Sequence, residues 1–171
     1  MLQNKYLPSP HFSEVHRIEI RQSTEKIWRL VDHLDFSGSR VIRFLFALRG
    51  MPARMMNLGG LEKGRFKLLE SGPNELIIGL IGQFWKPNGN LQNFAPSEFT
   101  EYNNPGFTKA TWSFTLTGDP RLSVLETETR IYCTDEKARQ RFRRYWFIIK
   151  PFSGIIRMEI LKGIRTKAEK L

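Results

Sequence analysis

His16 is the residue in this chain best suited by type and spacing to move a proton. It shares parity with Ile18 and Ile20 along 13–21, so it turns inward if they do. An inward histidine there serves either as an acid/base group or ligand contact, or as a core residue satisfied by a backbone or hydroxyl partner. Thr127 and Thr129 share parity with Leu125, Ile131 and Cys133, which lays a hydroxyl row on an otherwise apolar face. Threonine is also simply a good strand former. Glu126, Glu128 and Arg130 fall on the opposite parity, where cross-strand pairing accounts for them.

Other chemistries lack their residue sets. The one cysteine, Cys133, cannot build a disulfide framework, and the 3 histidines, His11, His16 and His33, have no paired spacing for a metal. No metal and no cofactor is expected. GGLEKG at 59–64 matches neither a P-loop nor a dinucleotide fingerprint, and there is no nucleophile elbow. A reducing, cytoplasmic setting is expected, since 1–8 lacks the apolar core of a signal peptide and no run reaches the roughly 18 apolar residues of a spanning helix.

The elements that would position these residues begin with length. At 171 residues, 40% hydrophobic, the chain reads as a single domain over 1–171 with a core at about 12–169. A half-buried strand at 13–21 leads into a short helix capped by Ser23, carrying Ile27, Leu30, Val31 and Leu34 on one face. A second short helix is expected at 41–49. Strands follow at 64–70, 75–84, 97–102, 107–117 and 122–133, split by turn-rich segments, with a weak extra strand at 52–58. Neighbouring strands should pair antiparallel. The final segment, 134–171, reads as one long helix kinked at Pro151, with Ala138, Phe142, Tyr145, Ile149, Phe152, Ile156, Ile160 and Ile164 as its apolar stripe.

The charge is uneven. The whole chain carries +10, and residues 134–171 hold 11 Lys and Arg against 4 Asp and Glu, which is +7 of it. Such a helix either solvates itself or meets a polyanion.

Strand, two short helices, antiparallel strands and a long last helix is the order of the helix-grip fold. With Trp28, VIRFLFALRGMP at 41–52, GQFWKP at 82–87, TETRI at 127–131 leading to Tyr145 and Trp146, and SGIIR at 153–157, the chain resembles the START-like superfamily. That superfamily includes polyketide cyclase/dehydratase-type proteins, lipid-transfer domains and plant pollen allergens; the likeness is to bacterial members without an assigned role. It implies an α+β fold: a curved antiparallel sheet of six to seven strands, with two short helices after strand 1, wrapped around a long C-terminal helix. It implies an apolar cavity between sheet and helix, and no shared catalytic set.

Under that fold the cavity is expected to draw on Phe84, Trp85, Trp112, Phe114, Phe142, Trp146 and Ile149, with His16, Ile18, Thr127 and Thr129 from the strands. Arg49, at the end of the second short helix, would stand near the mouth if those helices form a lid. The expected partner is a hydrophobic or amphipathic small molecule such as a lipid, isoprenoid or polyketide-like compound. An enzyme acting on such a ligand, a cyclase, dehydratase or hydrolase with His16 or a cavity Glu or Tyr as acid/base, is the alternative. A basic-helix module on anionic membrane or nucleic acid is the third reading, with nucleic acid disfavoured.

Overall fold

The first strand closes the sheet against the last. In the computed structural model, which describes residues 1–48, 56–119 and 121–171 apart from the side chains at 45, 46, 48, 58 and 62, β1 (Phe12–Ile20) pairs antiparallel with β5 (Ser123–Cys133). The register runs from Phe12 opposite Ile131 to Ile20 opposite Ser123. β2 (Lys67–Ser71), β3 (Glu75–Gly82) and β4 (Thr108–Gly118) complete an open antiparallel sheet in the order β1-β5-β4-β3-β2. In β1 the alternation reads out as expected: Ile18 and Ile20 are buried, while Val15, Arg17 and Glu19 face solvent.

Helices α2 (Thr24–Asp32) and α3 (Arg40–Leu48) follow β1, and α5 (Glu136–Ala168) crosses the inner face of the sheet over β1 and β5. Ile27, Val31 and Ile42 pack with Ile160, Leu161 and Ile164, so the two short helices sit against the C-terminal half of α5. α5 is a single helix that runs through Pro151. Proline has no N–H to give the carbonyl four residues back, so the bond to Phe147 is lost inside the helix. Ser153 takes the inward position and Phe152, expected in the apolar stripe, is exposed. The helical period explains this, because residues 149, 153, 156 and 160 keep the 3.6 spacing better than 152 does.

Five strands are seen among the described residues, where six to seven were expected. The segment 97–102 is not a strand: Pro96 starts a 3-10 turn (Pro96–Glu98), and the Glu98 carboxylate accepts the N–H of Ala95 at 2.7 Å. The extra strand at 52–58 falls largely outside the described residues, and Asn57 makes only an isolated bridge to Asp35. A short helix α4 (Leu58–Lys63) takes its place in the sequence, with the Asn57 side chain accepting the N–H of Gly60 at 2.8 Å. Arg65, in left-handed backbone at φ 71°, ends that turn and delays β2 to residue 67. Ser23 precedes α2 but makes no side-chain cap bond.

The sequence pattern had a further signal in β3. Its run of Leu76, Ile77, Ile78, Leu80 and Ile81 does not alternate, as befits a strand covered on both faces. Leu76 and Ile78 face the α5 side, while Ile77 and Ile81 join Leu7, Phe94 and Phe99 on the other. There α1 (Leu2–Tyr6) is anchored by buried Gln3, which donates to Ser113 Oγ at 2.9 Å and to the Glu128 carbonyl at 3.1 Å.

α5 begins on a built cap. Asp135 Oδ1 accepts the N–H of Ala138 at 2.7 Å and Oδ2 accepts that of Gly106 at 2.5 Å. These backbone bonds hold its carboxyl below the usual aspartate range, the bond from Ala138 contributing most. Asp135→Ala is therefore expected to lower stability by about 1 kcal/mol, measured by urea unfolding near neutral pH. A depressed folded pKa means the contribution is complete above the unfolded pKa and fades as pH falls through the folded one. The difference between variant and wild type should accordingly shrink on acidification.

Candidate functional site

Between the N-terminal half of α5 and the inner face of the sheet lies a half-open cavity of about 130 Å³. Its apolar wall is built by aromatic side chains from four elements. Trp112 comes from β4, Phe84 from the turn after β3, Phe66 from just before β2, and Phe142 and Trp146 from adjacent turns of α5. Phe142 is buried at the centre of this cluster, its ring 5.7 Å from that of Trp146, 6.2 Å from Phe84 and 5.1 Å from Phe12. Such offset and edge contacts hold rings in place beyond the burial of their area.

The opposite end is polar. Arg157 reaches from α5, its Nε donating to Thr129 Oγ1 at 2.8 Å and one terminal nitrogen donating to the Ser153 carbonyl at 3.2 Å and to Ser153 Oγ. The guanidinium lies 5.7 Å over the Trp112 ring. Trp112 itself is fixed by its indole N–H, which donates to Thr127 Oγ1 at 2.7 Å, and Thr127 passes its own proton to the Ser113 carbonyl at 2.9 Å.

Of the residues expected at the site, Phe84, Trp112, Thr129, Phe142, Trp146 and Ile149 line this cavity. Trp85 packs on the aromatic cluster without lining it, and Phe114 and Ile18 lie in the main core nearer the C-terminal half of α5. Thr127 acts one layer behind, through Trp112. Arg49 lies outside the described residues. No described residue of α2 or α3 lines the cavity, so a lid made by those helices is not what is seen there.

His16 does turn inward, but to a different place. Its Nε2 lies 2.9 Å from Glu14 Oε1, both side chains being largely buried, and it is not among the cavity-lining residues. Glu14 Oε2 is buried with no hydrogen-bond partner among the described residues. This pair is pressed against α5 at Gly154, where an added Cβ would meet Glu14 Oε1 at 2.9 Å and His16 Cε1 at 3.3 Å. Cys133 offers no nucleophile either: burial pushes its thiol up to about 11.

Sequence reasoning missed Arg157 and Ser153. Both sit in the SGIIR segment, and their inward direction was legible from the 3.6-residue spacing that places 153 and 157 one turn apart below Ile149. A larger groove of about 490 Å³ runs between the α2–α3 connection and the C-terminal turns of α5. Its walls mix Asp35, Arg40, Glu159 and Lys162 with Leu34 and Ile160, without the convergence of rings and donors found in the smaller cavity.

No family model matches the chain, and no curated protein matches it. Among solved structures, the chain is similar to a conserved protein from Geobacillus kaustophilus at 13% identity, a TM-score of 0.37, and coverage of 93% of this chain and 96% of that one. At that score the likeness carries no argument. The five-stranded antiparallel sheet with its long C-terminal helix is compatible with a helix-grip arrangement.

The Gly154 contact yields a test. Glycine to alanine inside a helix gains roughly 1 kcal/mol, whereas a hydrogen bond to a charged group is worth about 1.5–3 kcal/mol. Gly154→Ala is expected to destabilise wild type, by about 1 kcal/mol, through displacing Glu14 from His16. In a Glu14→Ala background the same change should stabilise, and equilibrium unfolding of the four proteins reads the difference.

Proposed function

We propose that this protein binds a small apolar or amphipathic molecule in the cavity between the sheet and the N-terminal half of α5, as a START-like helix-grip protein would. The observation that carries the reading is the convergence of six aromatic rings, Tyr145 of α5 among them, and one cluster of polar groups on a single half-open space. Size narrows the ligand. A cavity of about 130 Å³ compares with an engineered apolar cavity of about 150 Å³ that takes benzene. A single ring or a short acyl chain fits; a fused polycycle or a full lipid tail does not unless the rings move.

Ala110, on β4 between Leu80 of β3 and Ile131 of β5, supplies the smallest side chain of the wall. Ala110→Phe should fill the space and abolish binding of ring-sized probes such as toluene. Ligands of this size reach only about millimolar to high-micromolar dissociation constants, so ligand-observed NMR is the suitable measurement. Undiminished probe binding by Ala110→Phe would remove the cavity from the proposal.

A second reading has its own observation. Phe147, Ile148, Phe152 and Ile155 are exposed on the outer side of α5, Phe147 at 86%. Arg143, Arg144 and Lys150 flank them, and no acidic residue occurs in α5 between Glu136 and Glu159. An apolar strip bordered by cations fits the headgroup region of an anionic membrane. Trp146 is shared by the cavity and by an outer groove it forms with Phe12, Phe147 and Pro151, so the strip borders the cavity. Co-sedimentation should show binding to phosphatidylglycerol vesicles that weakens with salt, is near zero on phosphatidylcholine, and falls about tenfold or more in the Phe147→Ser, Ile148→Ser double variant. Salt-independent binding would argue against this contact.

A further inference from the structure

We propose that the groove walled by Lys109 and Tyr102, on the face of the sheet turned away from α5, binds the carboxylate of a small organic acid. The sheet itself separates this groove from the cavity beneath α5, so the two sites stand or fall independently.

The parity of β4 sets Lys109, Thr111 and Ser113 on the face opposite to that of Ala110, Trp112 and Phe114. All three polar residues are buried there. Gln3 of α1 serves two of them, its amide donating to Ser113 Oγ at 2.9 Å and its Oε1 accepting from Thr111 Oγ1 at 2.5 Å. Lys109, the third, is 6% exposed and has only a backbone acceptor: its Nζ donates to the Thr100 carbonyl at 2.9 Å.

An ammonium has three N–H donors, so two of those on Lys109 are unspent among the described residues. No carboxylate pairs with it among those residues either. The rings of Tyr132 and Phe99 lie with their centres 5.4 Å and 5.7 Å from Nζ. At that range they soften the charge without taking up an N–H in a direct bond. Burial alone pushes the amine below the usual lysine range, which fits a site where no anion stands close enough to oppose it. A cation this deep without a counter-charge is expensive.

Tyr102 adds a second unmet donor. Its hydroxyl is buried and has no hydrogen-bond partner among the described residues, while its ring is held edge-on to Phe107 at 5.7 Å. Lys109 and Tyr102 line one groove of about 500 Å³, together with Leu7, Ser9 and Tyr132. A ligand that answers both donors must accept hydrogen bonds and carry negative charge. One unit of charge is what the wall can match, since Lys5, its other cation, is already paired with Glu70, and Glu101 is acidic. A phosphate dianion would leave one charge uncompensated, whereas a carboxylate matches the single ammonium and can accept from the phenol as well. Leu7 and Tyr132 then offer apolar surface to the remainder of the acid.

Propionate and propanol, equal in chain length, test the site on the full chain by ligand-observed NMR. Wild type should hold propionate at least about tenfold more tightly than propanol. Lys109→Met should bring the two within about twofold, and Tyr102→Phe should weaken propionate by about threefold to tenfold. Tyr102→Phe should also leave the unliganded protein at least as stable as wild type in urea, because its hydroxyl has no partner to lose. An Arg143→Gln, Arg144→Gln double variant on the basic helix should bind propionate as wild type does. Equal binding of propionate and propanol by wild type overturns the site. So does a propionate preference that survives Lys109→Met, or one lost in the arginine double variant, which would place the anion on α5. Phosphate displacing propionate at lower concentration than propionate itself would overturn the choice of a monoanion. Should Lys109→Met not fold, Tyr102→Phe decides, since propionate binding unchanged by loss of that one oxygen removes the proposal.

Discussion

How closely α5 can approach the sheet governs the inner face of the molecule. At Gly154 the helix backbone touches the Glu14–His16 pair of β1, closer than any residue with a Cβ would permit without displacing Glu14. One to three turns N-terminally, Ile149, Trp146 and Phe142 stand off the sheet around open space. Tight seating at one point and a gap at another follow from side-chain size along one helix: a glycine where the strands crowd, and rings where they do not. Pro151, which removes a helical hydrogen bond between these two regions, lies where the helix is best able to change direction.

The same seating explains why polar groups collect under the middle of α5. β1 and β5 pair so that Glu14 lies opposite Thr129 and His16 opposite Thr127. Facing the helix, these four bring a carboxylate, an imidazole and two hydroxyls beneath Ser153, Gly154 and Arg157. Cross-strand neighbours on one face of an antiparallel pair are within contact distance, so inward polar residues in two adjacent strands could not have been kept apart. The indole of Trp112 and the guanidinium of Arg157 absorb the two threonines, and His16 takes up Glu14.

Much of this was readable in advance because it rests on period. Parity placed Ile18, Ile20 and His16 on one side of β1, turn residues separated four of the five strands, and the apolar spacing of 138–164 drew one long helix. What escaped rests on partners that are distant in sequence or on local conformations with weak signatures. Residues 97–102 carry aromatic and β-compatible types, yet Pro96 and the Glu98 side chain bend them into a 3-10 turn. The outer face of β3 is covered by the five-residue α1, whose Gln3 reaches across to Ser113, and by Phe94 and Phe99 from the connection after β3. The uninterrupted apolar run in β3 announced that some cover was needed without saying what it was. At the cavity, ring-bearing residues were found by size, whereas Arg157 was passed over because an arginine on a basic helix reads as solvated.

The pairing of β1 with β5 has a consequence for how the chain is made. At ordinary rates of synthesis, about 5–20 residues per second, residues 12–20 must wait roughly 5–25 seconds for residues 123–133 to appear, and longer for the tunnel to release them. During that time β1 has no hydrogen-bonded neighbour, and the inner faces of β3 and β4 have no helix over them. The order of elements thus makes folding a late event, completed by the last third of the polypeptide, with the apolar strands in need of protection until it arrives.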